Sequence, residues 1–457
     1  MQFKEKAALR DTLVTSLNSE ELRDLSFDVG VDYDALPGDT EEGKARELIL
    51  YMERSGRVDQ ILSWLNKNHP EIDTDALAQE TASAASPPAP DLPPLPGKAE
   101  PQLPTRRVWK YVDLAIRVEA SPDGGYTIST RSPQGEVATQ AQLDIAEPVL
   151  AKGLSGLRAP TLAPASLQSL GARLFDFLFA DEAGDLYQKT LRRADRNLDA
   201  VRLRLSIGPV ELSRLPWECL YDPRLASFLA VRGRFALTHT VDVSHPAATP
   251  AAIDTWRVLL LLSSPENVPP LNLEREQALI ERALSAPGAE GRFKVDVLTN
   301  PTLPMVREAL RQQAYHIVHY TGHGVLSEKD TTVLGMPVRA DRPYLVLSDA
   351  VGQAALVDDT SLAQLLASAP SVRLVFLNTQ AGPGEALLRA GELEAAVSMR
   401  YPITDRAASV FAREFYQGIA DQLPMEMVFT QARIALYQEL GAASRDWVSP
   451  VLTTRDE

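Results

Sequence analysis

A single cysteine, Cys219, in 457 residues excludes an intrachain disulfide and a thiolate metal cluster. No apolar run approaches the roughly 20 residues that span a bilayer. The longest, such as VLLLL at 258–262, read as buried strands. The N-terminal MQFKEKAALRDTLV carries charges where a signal peptide needs a continuous apolar stretch, which predicts a cytoplasmic protein. Basic charge is also scarce: 46 Lys and Arg against 61 Asp and Glu give a net charge of -15. That field repels phosphate backbones and anionic membrane surfaces, so neither nucleic acid nor membrane is an expected partner. Histidine is sparse too. In HIVHYTGH, His316 and His319 lie three apart on an expected strand and point to opposite faces, so no metal site is expected and no cofactor is implied.

What is present is the balance of an ordinary globular chain, 45% apolar and 23% charged, long enough for two domains and a linker or for three modest domains. Residues 1–77 read as a small all-helical bundle. Leu9, Leu13, Val14 and Leu17 recur at helical spacing, and Asn18 with Glu21 forms a capping pair for a helix through Leu22, Leu25 and Val29. Gly30, Pro37 and Gly38 break the pattern, and Leu48, Ile49, Met52, then Val58, Ile61, Leu62 and Leu65, mark two further helices. Fifteen acids against nine bases in residues 1–72 suit a protein-docking face or a plain solvated surface. Residues 78–106 turn to Ala, Ser and Pro, with eight prolines between Pro87 and Pro104, the composition of a semi-extended spacer.

A second fold begins near residue 107. Residues 107–250 read as a mixed α/β lead-in: strands at 111–118, 126–129, 201–207 and 234–243, helices at 163–179 and 183–199. Residues 251–457 then alternate strand and helix, with near-continuous apolar strands at 257–262, 293–298, 314–320, 373–377 and 395–399. The predicted fold is α/β, a mostly parallel sheet flanked by helices. Ligands of such sheets sit beyond the carboxyl ends of the strands, and two strand ends carry chemistry. One is Thr321-Gly322-His323-Gly324, whose glycines permit a tight turn and whose exposed imidazole is a candidate general base. The other is Asn378-Thr379-Gln380-Ala381-Gly382, where a nucleophile is expected beside His323 if the two strands are neighbours. Read from pattern alone, both are equally glycine-rich turns of an α/β fold.

Six ordered stretches carry a resemblance: LPWECLYDP at 215–223, SSPENVPPLNLERE at 263–276, HIVHYTGHG at 316–324, RPYLVLSD at 342–349, VRLVFLNT at 372–379 and MRYPITDRAASVFAREFYQGI at 399–419. Residues 107–450 resemble the CHAT family, caspase-like cysteine peptidases of the clan of caspases and separase. Residues 9–71, with FDVGVDYDALPG and GKARELILYMERSGR, resemble bacterial effector-associated, death-like domains. The resemblance implies a caspase-like core at 251–457 and His323 as base for a cysteine at the second strand end. It also implies backbone N–H groups near Gly324 for the oxyanion, protein substrates, and an upstream partner or sensor bound through the helical domain. It further implies an acidic pocket for a basic substrate side chain, with Asp349 as one candidate.

This chain departs from the family at the nucleophile. The family run resembles Leu-Asn-(Ala or Thr)-Cys-Gln-(Ser or Ala)-Gly, whereas residues 377–382 read Leu-Asn-Thr-Gln-Ala-Gly. Either Gln380 stands at the cysteine position or a cysteine is lost between Thr379 and Gln380. The chain is then a natural pseudoprotease, a deliberately inactivated variant, or numbered across omitted residues. Cys219 reads as a buried structural thiol, and Thr379 lacks a neighbouring base. The functional expectation is a caspase-like endopeptidase of a prokaryotic defence or programmed-death system, inactive as written. The alternative is a catalytically silent adaptor.

Overall fold

The computed structural model describes residues 12–13, 17, 19–28, 44–45, 48–49, 58–69, 108–159, 163–243, 253–271, 273–286, 289, 291–327, 329–380, 384–390 and 393–455. They belong to two compact units, Met1–Pro104 and Thr105–Glu457. The spacer at 78–106, the break at Gly30, Pro37 and Gly38, the Asn18 cap, Leu9, Val14, Val29, Met52 and the turn at Ala381 and Gly382 lie outside the described residues.

The first unit contains the helices Ser19–Asp28 and Val58–Asn68. Leu22 and Leu25 on one, and Ile61 and Leu65 on the other, are buried, as their helical spacing requires. Leu13, Leu17, Leu48 and Ile49 are buried as well. The Trp64 indole N–H donates to Asp28 Oδ2 at 2.8 Å and ties the two helices.

The second unit contains strands β1 (Tyr111–Ala120), β2 (Tyr126–Ser132), β3 (Gly135–Ala141), β4 (Ala200–Ile207), β5 (Tyr221–Asp222), β6 (Ser227–Phe228), β7 (Phe235–Val241), β8 (Trp256–Leu262) and β9 (Phe293–Thr299). They are followed by β10 (Ile317–Thr321), β11 (Gly324–Val325), β12 (Thr331–Val333), β13 (Met336–Val338), β14 (Tyr344–Ser348), β15 (Ala354–Asp358), β16 (Leu374–Gln380), β17 (Ala395–Met399) and β18 (Pro450–Arg455). Eleven make one sheet in the order β3-β2-β1-β4-β7-β18-β17-β16-β10-β8-β9. β1, β4, β7 and β18 run parallel to one another. β17, β16, β10, β8 and β9 form a second parallel set, and the sets meet antiparallel at β18–β17. One sheet therefore runs through both 107–250 and 251–457.

Helices cover both faces of the second set, which is why its strands are apolar without alternation. Leu374 and Phe376 of β16 join one core with the helices Leu273–Leu284, Asp405–Ala420 and Met425–Leu440. Val375 and Leu377 join the other with Leu303–Gln312, Asp359–Ala367 and Gly384–Ala390. Sequence patterning gave no sign of β3, the helix Pro148–Gly156, the short strands β11–β15, or β18. β18 opens on Pro450 and continues with Thr453 and Thr454, and it becomes a strand because β7 and β17 pair with it on either side.

A charged cluster is buried within this unit. Glu218 is fully buried, its Oε1 2.8 Å from His239 Nε2, and its Oε2 accepts from Arg400 Nε at 3.3 Å. Arg433, also buried, lies over the Phe429 ring at 4.8 Å. Burial alone would raise the Glu218 pKa, but Arg400 and His239, with Arg433 further off, outweigh it and lower the carboxyl from 4.5 to about 2. Glu218→Gln keeps the shape and removes the charge, so urea unfolding at pH 7 is expected to show a loss of about 3–5 kcal/mol. A depressed carboxyl stabilises above its unfolded pKa and ceases to do so as pH falls through its folded value. The gap between parent and variant should therefore shrink between pH 4.5 and about 2, and a gap constant over that range would contradict the charge assignment.

Candidate functional site

The two chemical strand ends are neighbours. β10 pairs with β16 in parallel, from Ile317 opposite Leu374 to Thr321 opposite Asn378. Beyond this last pair the chain continues as Gly322-His323 on one side and Thr379-Gln380 on the other. On its far side β16 bulges. Phe376 pairs with Val397 and Gln380 with Met399, so β16 spends two more residues than β17 over the same interval.

His323 is half-buried in the turn between β10 and β11. Its Nε2 lies 2.7 Å from the carbonyl oxygen of Pro269. A carbonyl only accepts, so Nε2 carries the proton, and in the neutral ring Nδ1 is the basic nitrogen. The backbone of the turn is also held. The His323 carbonyl accepts from Val346 N–H at 3.0 Å, and the Tyr320 hydroxyl stands 2.8 Å from the carbonyls of both His323 and Val346. A Cβ at position 322 would fall on the Tyr320 hydroxyl, 2.6 Å from Cζ and 3.0 Å from the Ser263 carbonyl, so only glycine allows this approach.

Beneath the turn lies a closed polar network. His319 is fully buried and stacked on Phe376 at 4.4 Å. Its Nε2 is 3.1 Å from Glu276 Oε1 and 2.8 Å from Thr321 Oγ1, and its Nδ1 is 2.9 Å from the Tyr416 hydroxyl. With Nε2–H directed at the carboxylate, Nδ1 accepts the Tyr416 proton. Burial, then the Glu276 charge, pushes the Tyr416 pKa well above its ordinary value, so it remains a neutral phenol. Asn378 Nδ2 donates to the same Glu276 oxygen at 2.6 Å. Glu276 thus ties β10 to β16 from the first turns of the helix Leu273–Leu284.

A cleft of about 340 Å³ opens over these strand ends, lined by His323, Thr379, Asn378, Glu276 and, across from them, Ile403 and Asp405. Thr379 is buried, and its Oγ1 has no hydrogen-bond partner among the described residues. Gln380 ends β16. Gly324 lines the cleft and pairs with Leu345. Asp349 is not brought to the cleft: its Oδ1 accepts from the N–H groups of Val351 and Gln353, both at 2.9 Å, and closes the turn between β14 and β15. Cys219 is fully buried in a 3₁₀ turn, its thiol pKa raised by burial and by the adjacent Glu218. His316 accepts from Arg257 N–H at 2.9 Å and is held below its ordinary pKa by burial and by Arg373 and Arg257. Among the described residues no group of three His, Cys, Asp or Glu is arranged to hold a metal, and no helix is long and apolar enough to cross a membrane.

Three contributors escaped the sequence reading. A backbone acceptor such as Pro269 has no side-chain signature. Glu276 did leave a signal, standing three residues after Leu273 and four before Ile280 on the buried stripe of its helix. Tyr416 had none, because an aromatic on a core face reads as packing.

The family model described as the CHAT domain matches residues 168–455, and that of effector-associated domain 7 matches residues 9–70. No curated protein matches. Among solved structures, the chain is similar to the separase–securin complex of Saccharomyces cerevisiae, at 11% identity and a TM-score of 0.40 over 75% of this chain and 30% of that one. It is also similar to the Drosophila initiator caspase Dronc, at 9% identity and a TM-score of 0.30 over 47% of this chain and 88% of that one. It spans under a third of the yeast chain.

Gly322→Ala is expected to push the His323 turn away from Tyr320, costing about 1–3 kcal/mol in urea unfolding, the range of an overpacked core. It should also shift the imidazole resonances of His323. An unchanged spectrum with unchanged stability would show that the turn is not held by this contact.

Proposed function

The chain belongs to the CHAT family and carries an effector-associated domain ahead of the CHAT domain, and we propose that it is the caspase-like effector half of a prokaryotic defence or programmed-death system. Its home in this reading is the cytoplasm. The helical domain, residues 1–77, recruits an upstream protein partner, a spacer at 78–106 tethers the rest, and residues 107–250 support a catalytic core at 251–457. The observation that carries the reading is the His323 imidazole, its Nε2 against the Pro269 carbonyl and its turn one step from the end of β16.

In this scheme His323 Nδ1 takes the thiol proton of a cysteine at position 380, or inserted between Thr379 and Gln380. The thiolate adds to the scissile carbonyl of a protein substrate, and backbone N–H groups near Gly324 meet the oxyanion. The tetrahedral adduct collapses as His323 returns the proton to the leaving amine. Water, deprotonated by the same nitrogen, then hydrolyses the thioester. No residue lining the cleft supplies the thiol, and Thr379 has no base within hydrogen-bond reach among the described residues. The chain as written is the inactive form. That absence favours a second reading, a silent adaptor that uses the cleft only to bind.

Intact mass with peptide mapping across residues 372–390 separates the two. A mass equal to the 457-residue sequence supports the adaptor or inactivated form. Extra mass between Thr379 and Gly384 supports the peptidase. A variant with cysteine inserted after Thr379 is expected to be labelled by peptidyl electrophiles, and His323→Ala in that background to slow labelling by about 10²–10⁴-fold, the usual worth of a positioned base. Labelling at the same rate without His323 would overturn its role.

A further inference from the structure

The eleven-stranded sheet ends on β9. This strand pairs in parallel with β8, from Phe293 opposite Trp256 to Thr299 opposite Leu262. Two bonds at its ends show which backbone groups the pairing uses: Trp256 N–H donates to the Arg292 carbonyl and Asn300 N–H to the Leu262 carbonyl, both at 2.7 Å. A parallel ladder takes its bonds from every second residue of a strand, so Lys294, Asp296 and Leu298 bond inward to β8. The N–H and C=O groups of Phe293, Val295, Val297 and Thr299 point outward, and among the described residues no strand meets them. A seven-residue edge with outward donors and acceptors is a template for a further strand.

The side chains restrict which strand can pair there. Phe293, Val295 and Val297 are partly buried against the core, whereas Lys294 and Asp296 are exposed on the other face of the sheet. Among the described residues Lys294 has no ion-pair partner. Asp296 Oδ2 accepts from the Tyr315 hydroxyl at 2.9 Å, and the Asp296 side chain is 48% exposed.

A two-fold axis through Val295 sets two copies of β9 antiparallel. Val295 then faces Val295 and Phe293 faces Val297, all residues whose N–H and C=O groups point outward, so each pair exchanges both hydrogen bonds. Lys294 faces Asp296 in the intervening pairs, where side chains stand closest, and the symmetry makes that contact twice. Moving the axis by one residue to Lys294 or Asp296 puts like charges opposite each other, which is destabilising. One register therefore satisfies backbone and charge together. The opposite edge of the sheet, β3, has Glu136 as its only charge and offers no such match.

We infer that β9 is an interaction edge for a second copy of this chain, paired antiparallel about Val295 so that two eleven-stranded sheets become continuous. The edge is separate from the cleft, and its test does not depend on the peptidase reading.

Sedimentation velocity of the full chain over a range of concentrations, with amide hydrogen exchange, tests it. The parent is expected to pass from monomer to dimer with concentration, and the N–H groups of Phe293, Val295 and Val297 to exchange more slowly as it does. Lys294→Glu sets an acid against Asp296 twice and should raise the dissociation constant by about tenfold or more. Asp296→Lys should do the same. Mixing the two variants restores both opposite-charge pairs, so the mixture should associate as the parent does while each variant alone does not. Circular dichroism confirms folding, and if Asp296→Lys, which also loses the Tyr315 bond, does not fold, Lys294→Glu alone reads the charge pairing. A parent that stays monomeric at every concentration leaves the edge to solvent or to another protein's strand and overturns the proposal. So does a dimer indifferent to Lys294→Glu, or one whose outward β9 N–H groups exchange as fast as in the monomer. Folded variants whose mixture fails to associate would overturn the register.

Discussion

The candidate site depends on the parallel pairing of β10 with β16. Five residue pairs in register, ending at Thr321 opposite Asn378, bring two segments more than fifty residues apart in sequence to the same sheet edge. A slip of one residue would exchange the faces of every side chain on β16, moving Phe376 and Leu377 between cores that are both filled. Register is thus enforced from above and below the sheet, and it brings the His323 turn beside Thr379.

The polar network under the turn makes this fixity sharper. A buried carboxylate and imidazole cost desolvation energy that an apolar pair would avoid. Glu276 offsets it by accepting from Asn378 and His319 at once, while His319 accepts from Tyr416. What such bonds add over packing is direction: apolar contact is tolerant of small rotations, hydrogen bonds are not. The helix that carries Glu276 begins at Leu273, four residues after Pro269, the carbonyl that meets His323. The segment leading into the helix that ties the two strands therefore presents the group that sets the tautomer of His323.

Strand and helix were legible wherever side-chain pattern determines them. The apolar strands at 257–262, 293–298, 373–377 and 395–399 and the helices between them appear within a few residues of their expected ends, because burial on both faces leaves a continuous run. His319, on the buried strand β10, is a satisfied core histidine, bonded to Glu276, Thr321 and Tyr416. The elements that escaped are those defined by their partners. β18 is a strand because β7 and β17 need a neighbour, and β11–β15 are short ribbons closed by turns. At the site, the side-chain members were visible and the backbone acceptor was not. Asp349, a candidate only through the resemblance, accepts from the N–H groups of Val351 and Gln353 in the turn between β14 and β15.

The His323 turn is held by contacts of its own. Tyr320, Gly322, Val346 and the Pro269 carbonyl define the His323 turn. The end of β16 opens on a shaped recess with an oriented imidazole, two acids and a helix N-terminus around it. The helix Asp405–Ala420 has its own cap, Thr404, which donates to Asp446 at 2.8 Å. Such a recess retains what substrate recognition requires of the protein, shape and fixed polar groups. The peptidase and the adaptor readings consequently share nearly the whole of this geometry and differ by one residue, a cysteine at or beside position 380.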